Sequence, residues 1–140
     1  MFLGEFQHSL DAKGRVILPA KFRDRLSEGA VLSKGEDACL VVYTKEDFEM
    51  EGIEKMEQSK GDPERRHAAR AFFAGACEFV PDRQGRVAVP APLRKYSHLE
   101  RDVTVIGVLS RIEIWDTERW RALESKGDAT LAGDDPLTAN

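Results

Sequence analysis

Short apolar stretches rich in Val, Ile, Leu and aromatic residues recur along the chain, each bounded by Gly, Pro, Asp or other polar residues. Stretches of this length and composition are typical of β-strands that are buried on at least one face. Eight are predicted: FLGEF (2–6), RVIL (15–18), AVLSK (30–34), CLVVYT (39–44), CEFV (77–80), RVAV (86–89), VTVIGV (103–108) and RIEIWD (111–116). The chain is therefore predicted to be mainly β.

Capping residues mark where helices are predicted to begin. Pro19 and Pro90 each follow a strand, and proline suits the first helical position because its missing N–H costs nothing there. Two longer helices are predicted to close the two halves of the chain, with Thr44 and Asp116 as their N-caps. Asp47 stands three residues after Thr44, which approximates a capping box. Short helices are thus expected between the strands.

One motif occurs twice, as LDAKGRVILPAKFR (10–23) and PDRQGRVAVPAPLR (81–94). A shift of 71 residues gives seven identities in the thirteen positions from 11 to 23, with no gap. A shift of 72 aligns LVVYTKEDF (40–48) with IEIWDTERW (112–120). Similarity that is maintained over such distances indicates an internal duplication.

The duplication divides the chain into four segments. Residues 1–58 form the first repeat and residues 76–126 the second. Residues 59–75 are predicted to contain a connecting helix, capped by Asp62. Residues 127–140 are small and acidic, and we expect them to form a flexible tail.

Each half by itself would be a small folding unit. A unit of about 70 residues with four short strands buries a thin core and leaves sheet edges unpaired. Packing two such units about a pseudo-twofold axis would enlarge the core and cover the edges. We therefore expect one mainly β domain with short helices outside, of the α+β class.

Charge is distributed unevenly along the chain. The formal net charge of −4 argues mildly against nucleic-acid binding, which depends on neutralising phosphates. Residues 1–26 nevertheless carry five basic against three acidic side chains, and residues 82–95 carry four against one. The acidic side chains concentrate in residues 46–57, with six against one, and in residues 124–140, with four against one. The molecule can therefore present one cationic face that contains both motif copies.

Each copy of the D-x-x-G-R motif combines three residues with different roles. The glycine supplies the positive φ of a tight turn, and the aspartate accepts hydrogen bonds from turn amides or from the arginine. The arginine begins the following strand, so a rigid base projects its guanidinium. The residues are Asp11, Gly14 and Arg15 in the first copy and Asp82, Gly85 and Arg86 in the second. An ion pair that only fixes the loop remains an alternative interpretation.

The loops carry additional donors that favour DNA binding over a purely internal role. Lys13 lies in the first loop, and Arg83 and Gln84 lie in the second. In the major groove, arginine recognises guanine, glutamine recognises adenine, and nearby cations hold phosphates. We therefore predict that these three residues contact DNA together with Arg15 and Arg86.

Other classes of function find little support in the sequence. The three histidines and two cysteines are scattered without metal-ligand spacing, and no cofactor is predicted. No phosphate loop, triad or carboxylate pair with an acid/base role is present, so we do not expect an enzyme. No apolar run is long enough to cross a bilayer, and residues 1–15 lack the features of a secretory signal, so we expect a cytoplasmic protein.

The sequence GEFQHSLDAKGRVILPAKFR, followed by a second D-x-x-G-R copy, resembles the bacterial MraZ family. The resemblance covers roughly residues 1–125. It implies that each half is an AbrB-like repeat and that the two halves form an AbrB-type swapped-hairpin β-barrel. In the second loop, Gln84 stands where the family pattern has a basic residue.

The resemblance also implies a function. Members of the family are sequence-specific transcriptional regulators of the division and cell-wall gene cluster, including their own promoter, and repression is the expected output. They are expected to form ring-shaped homo-oligomers of eight or more subunits on the nucleoid and to bind double-stranded DNA with repeated short boxes. Asp11 and Arg15, with Asp82 and Arg86, match the family loops, and Lys13 also fits.

Two other functions remain open. The chain could be a protein-interaction module of the same fold, such as an antitoxin-like partner. It could also be an assembly scaffold in which the Asp–Arg pairs bridge subunits without direct DNA readout.

Overall fold

The computed structural model describes residues 1–134. It contains eight strands and five α-helices, which confirms the predicted strands and the α+β class. In chain order the elements are β1 (Phe2–Ser9), β2 (Arg15–Ile17), α1 (Ala20–Leu26), β3 (Ala30–Lys34), a 3₁₀ turn (Glu36–Ala38), β4 (Leu40–Thr44), α2 (Lys45–Gln58), α3 (Pro63–Ala74), β5 (Cys77–Phe79), β6 (Arg86–Ala88), α4 (Ala91–Ser97), β7 (Asp102–Leu109), β8 (Arg111–Asp116) and α5 (Thr117–Ala132).

The strands form a six-stranded antiparallel sheet in the order β1-β7-β8-β4-β3-β5 and a separate two-stranded ribbon of β2 and β6. The first strand of each half pairs with the other half, because β1 pairs with β7 and β5 pairs with β3. The order is symmetric about the β4–β8 pair, as an internal duplication requires. Closure into a barrel is not shown for the described residues, whose strands form this sheet and this ribbon.

The sheet is covered on both faces. Strand β4 shows the alternation, since Leu40 and Val42 contribute to one core cluster while Val41 and Tyr43 contribute to the other. The first cluster is shared with the β2–β6 ribbon and with helices α1 and α4. The second is shared with helices α2, α3 and α5. The ribbon therefore lies on the opposite side of the sheet from these three longer helices.

Most predicted helix starts are confirmed. Thr44 accepts a hydrogen bond from the Asp47 amide at 3.1 Å, and Asp116 accepts one from the amide of Arg119 at 3.1 Å. Asp62 caps α3 in the same way, with Pro63 in the first turn. These side chains satisfy amides that no helical carbonyl can reach.

The position predicted for two prolines is wrong by one residue. Pro19 and Pro90 are the N-cap residues of α1 and α4, not their first helical residues, because their ψ angles of 139° and 148° are extended. Their carbonyl oxygens accept bonds from the amides of Phe22 and Leu93. An extended backbone with a bonded carbonyl is the usual geometry of an N-cap.

Helix α5 extends beyond the predicted end of the second repeat. It continues through Ala132, whereas a tail was expected from residue 127, and Gly133 ends it in the left-handed conformation. Ala129, Leu131 and Ala132 have high helix propensity, which offsets the unfavourable Gly127. The remainder of the predicted tail, from residue 135, lies outside the described residues. Within residues 1–134, no helix has the length and apolar character needed to cross a bilayer.

Candidate nucleic-acid interface

The β2–β6 ribbon brings the two copies of the motif onto one surface. Its register pairs Arg15 with Ala88, Val16 with Val87 and Ile17 with Arg86. Both valines are buried in the core, with exposures of 0% and 1%. Alternate residues of a strand point to opposite faces, so the arginines lie on the outer face of the ribbon. Because the strands are antiparallel, the two loops lie at opposite ends of this face.

The first loop is held together by Asp11. One carboxylate oxygen accepts hydrogen bonds from the amides of Lys13 and Arg15, both at 2.9 Å. The other accepts a bond from Nε of Arg15 at 2.7 Å. The Asp11 carbonyl also accepts a bond from the amide of Gly14, which closes the turn. One aspartate therefore shapes the loop and directs the guanidinium that follows it.

The second loop repeats this arrangement around Asp82. Its carboxylate accepts bonds from the amides of Gln84 and Arg86 at 3.0 and 2.9 Å, and from Nε of Arg86 at 2.7 Å. The amide of Gly85 donates to the Asp82 carbonyl at 2.8 Å. Because the bonds match one for one, the two loops share a single backbone design.

These contacts also lower the pKa of both aspartates. The amide of Arg15 holds the pKa of Asp11 below its usual value, and the guanidinium of Arg15 and the amide of Lys13 add to this effect. The amide and guanidinium of Arg86 do the same for Asp82. Hydrogen bonds to a carboxylate favour its charged form. Both aspartates are therefore ionised at neutral pH.

Glycine is required in each loop for two reasons. Gly14 and Gly85 have φ angles of +73° and +78°, which other residues rarely adopt. In addition, a Cβ atom on Gly14 would lie 2.4 Å from Nη1 of Arg94, and one on Gly85 would lie 2.0 Å from Nε of Arg23. The sequence predicts the first reason but not the second. Arg23 and Arg94 are identical residues at matched positions of the repeat, and this identity was the signal in the sequence that both have a structural role.

Several donors on this surface have no partner within residues 1–134. The side chains of Lys13, Arg83 and Gln84 are exposed and make no hydrogen bond or ion pair with described residues. Arg15 and Arg86 each use only Nε in their bond to aspartate, which leaves their terminal amino groups free. The arrangement can thus donate to phosphate oxygens or to base edges.

The surface is not symmetric in chemistry. Lys13 stands where the second half has Gln84, and Ile17 stands where it has Ala88. Ile17 is 40% exposed and pairs with Arg86 on the same outer face of the ribbon. The two ends of the surface therefore offer different groups to a partner.

Neither a metal site nor a reactive Cys39 thiol is found in the described part of the chain. Among residues 1–134 no group of three His, Cys, Asp or Glu side chains could hold a metal ion. Burial raises the pKa of the Cys39 thiol to about 12, so this cysteine is not a nucleophile at neutral pH.

Comparison with known proteins also divides the chain into two halves. The family model described as "MraZ protein, putative antitoxin-like" matches residues 1–71 and again residues 72–135. Two separate matches along one chain agree with the duplication predicted from the motif. The resemblance to the MraZ family is thereby confirmed.

Three similar proteins all carry the name transcriptional regulator MraZ. The protein from Micrococcus luteus is 45% identical over 135 residues, which cover 96% of this chain and 94% of that protein. The protein from Nocardioides sp. is 47% identical, with coverages of 94% and 91%. The protein from Lachnoclostridium phytofermentans is 45% identical, with coverages of 87% and 86%. Their name describes a non-enzymatic role, in agreement with the sequence prediction.

Proposed function

The chain belongs to the MraZ family, and on that premise we propose that it is a transcriptional regulator that binds specific DNA sites through its two Asp–Arg loops. The name of the relatives supports the role in transcription. The residues proposed to contact DNA are Lys13, Arg15, Arg83, Gln84 and Arg86, with Asp11, Gly14, Asp82 and Gly85 shaping the loops.

One observation carries this proposal. The β2–β6 ribbon presents Arg15 and Arg86 on the same outer face, and each is oriented by an aspartate that leaves its terminal amino groups unbonded. A two-stranded ribbon fits the major groove, which is about 12 Å wide. Arginines held at their Nε atoms can donate two parallel bonds to guanine, and Lys13 can contact a phosphate.

We further propose that the protein binds repeated short boxes as a ring-shaped homo-oligomer of eight or more subunits. A surface made of two short loops covers few base pairs, so a single copy would bind weakly. Linking several copies makes later binding events intramolecular and raises the overall affinity. Gathering the cationic loops along one side of a ring would also reconcile DNA binding with a net charge of −4.

The proposed targets are the division and cell-wall gene cluster and the protein's own promoter, with repression as the output and the nucleoid as the location. This part rests on the family alone. A reporter gene placed behind the DNA upstream of this protein's own gene tests it. Expression should fall when the wild-type protein is supplied and should not fall with Arg15→Ala/Arg86→Ala.

Gel-shift titration with the same DNA tests the loops directly. We expect Arg15→Ala and Arg86→Ala each to weaken binding by about 1–3 kcal/mol, and the double variant to abolish it. Arg70→Ala is the matched control, because this exposed arginine on α3 lies on the opposite side of the sheet. Undiminished binding by the double variant would overturn the proposal.

The oligomeric state of the same variants separates DNA binding from a scaffold role. Each Asp–Arg pair closes within its own loop, so we expect the alanine variants to keep the oligomer of the wild type, measured by light scattering. Variants that fall into single subunits would favour the scaffold. Wild-type affinity should also fall steeply with salt, because phosphate contacts release counterions.

A further inference from the structure

The helix that follows each ribbon strand places an arginine against the loop of the opposite half. Arg23 of α1 belongs to the first half, and its guanidinium packs on Gly85 of the second loop. Arg94 of α4 belongs to the second half, and its guanidinium packs on Gly14 of the first loop. The two contacts are related by the pseudo-twofold axis. Each loop is thus contacted by an arginine from outside its own half.

Hydrogen bonds fix both guanidinium groups at the junction of loop and ribbon. Arg23 donates from Nε to the Leu18 carbonyl at 3.0 Å, and the amide of Leu18 donates to the Gly85 carbonyl at 2.8 Å. On the other side, Arg94 donates to the Val89 carbonyl, and the amide of Val89 donates to the carbonyl of Gly14. Each arginine therefore holds the residue to which the opposite loop is bonded.

Resting on the proposed function, we propose that Arg23 and Arg94 are crossed positioning residues. Arg94 holds the first loop in its DNA-binding shape, and Arg23 holds the second. Neither needs to touch DNA for this role, because its guanidinium is half-buried and bonded to a backbone carbonyl. Gly14 and Gly85 are required for the same arrangement, because a side chain at either position would displace the guanidinium that packs on it.

Double-mutant cycles with DNA binding as the readout test the crossing. We expect Arg94→Met to weaken binding about tenfold, the effect of losing one hydrogen bond. Lys13→Ala should add little to Arg94→Met, because the first loop is already displaced, whereas Arg83→Ala should add its full effect. Arg23→Met should show the reverse pattern. Coupling of either arginine to the loop of its own half, or equally to both loops, overturns the proposal.

The salt dependence of binding distinguishes positioning from direct contact. A residue that holds a phosphate reduces the slope of log K against log salt by about one when it is removed. Displacing a loop also removes the phosphate contact of its own cationic residue, so the test is made where that contact is already absent. In a Lys13→Ala background Arg94→Met should leave the slope unchanged, and in an Arg83→Ala background Arg23→Met should do the same. A slope reduced by about one in these backgrounds identifies a phosphate contact of the arginine itself and overturns the positioning role.

Amide hydrogen exchange in the absence of DNA gives a readout that does not depend on the proposed function. Arg94→Met should accelerate exchange at the Lys13 and Arg15 amides and leave the Gln84 and Arg86 amides unchanged, and Arg23→Met should do the opposite. Faster exchange in both loops alike overturns the proposal. If the wild type fails to bind DNA, the proposed function is wrong. Hydrogen exchange still tests whether each arginine holds the loop of the opposite half. If the methionine variants do not fold, Arg23→Lys and Arg94→Lys replace them with the same expected pattern, because lysine lacks the planar fork.

Discussion

The two motif loops have the same frame and different projecting side chains. In both loops one aspartate accepts hydrogen bonds from two backbone amides and from the arginine Nε, and a glycine with positive φ closes the turn. These contacts are the frame of the loop. The exposed positions differ, since Lys13 corresponds to Gln84. The comparison separates what a loop needs to form from what it offers to a partner. The residues shared by both copies make the frame, and the residues that changed after duplication define the difference in contacts.

The largest expected effect comes from breaking the frame at its glycines. Gly61→Ala is the control, because Gly61 also has a φ of +73° but has no atom within 4 Å of the added Cβ. We expect it to cost about 1–2 kcal/mol of unfolding free energy, the backbone strain alone. Gly14→Ala and Gly85→Ala should each cost more, up to about 4 kcal/mol, because the arginine must also move.

The two glycines should also differ from each other in the same denaturation experiment. A Cβ on Gly85 meets three atoms of Arg23 within 2.7 Å, whereas one on Gly14 meets mainly the terminal Nη1 of Arg94. The end of a side chain moves more easily than its middle, so Gly85→Ala should be the more destabilising. Equal costs for Gly61→Ala, Gly14→Ala and Gly85→Ala would show that the arginine contacts do not matter.

Removing the charge of the aspartates tests whether the frames are equivalent. The pKa of Asp11 and of Asp82 is lowered in the folded protein, so their contribution to stability is present at neutral pH and is lost as the pH falls through the folded pKa. Wild-type protein should therefore lose more stability below about pH 4 than Asp11→Asn or Asp82→Asn. Urea unfolding at several pH values between neutral pH and this range measures the free energy of unfolding of each variant.

The control for these variants is Asp24→Asn. Asp24 is exposed, and its carboxylate makes no hydrogen bond or ion pair within residues 1–134. This variant should follow the wild-type pH profile. If Asp11→Asn flattened the profile and Asp82→Asn did not, the two frames would not be equivalent.

Exchanging the projecting side chains sharpens the comparison without disturbing the frame. Lys13→Gln should reduce the slope of log K against log salt by about one, and Gln84→Lys should increase it by about one. The affinity for DNA should change several-fold in the same directions at low salt. Unchanged slopes in both variants would show that these positions do not contact phosphates.

The smallest expected effect belongs to Ile17. Ile17→Ala makes the outer face of the ribbon symmetric at this position, since Ala88 is its counterpart. Because the side chain is partly exposed, its removal should change the unfolding free energy by less than about 0.5 kcal/mol. Binding of Ile17→Ala to DNA is compared with that of Met50→Ala, the control, which shortens an exposed apolar residue on α2. An effect on binding from Ile17→Ala alone would place the side chain in the interface.

The sequence predicts those features that depend on neighbouring residues. The strands, the caps at Thr44 and Asp116 and the positive φ of Gly14 follow from local composition and turn chemistry. The pairing of β1 with β7 does not, because residues about 100 positions apart in the chain leave no mark on periodicity. The contact of Arg94 with Gly14 also joins opposite halves of the chain, and its signal in the sequence is the identity of Arg23 and Arg94 at matched positions of the repeat.

The exchange of first strands has a consequence for how the chain is made. Strand β1 is synthesised first, but its partner β7 ends at Leu109. At about 5–20 residues per second, the ribosome takes roughly 5–20 s to make the intervening hundred residues. For that time Phe2 and Phe6 belong to an unpaired strand, which is prone to aggregate. The first strand is therefore exposed to aggregation during translation until the second half has emerged.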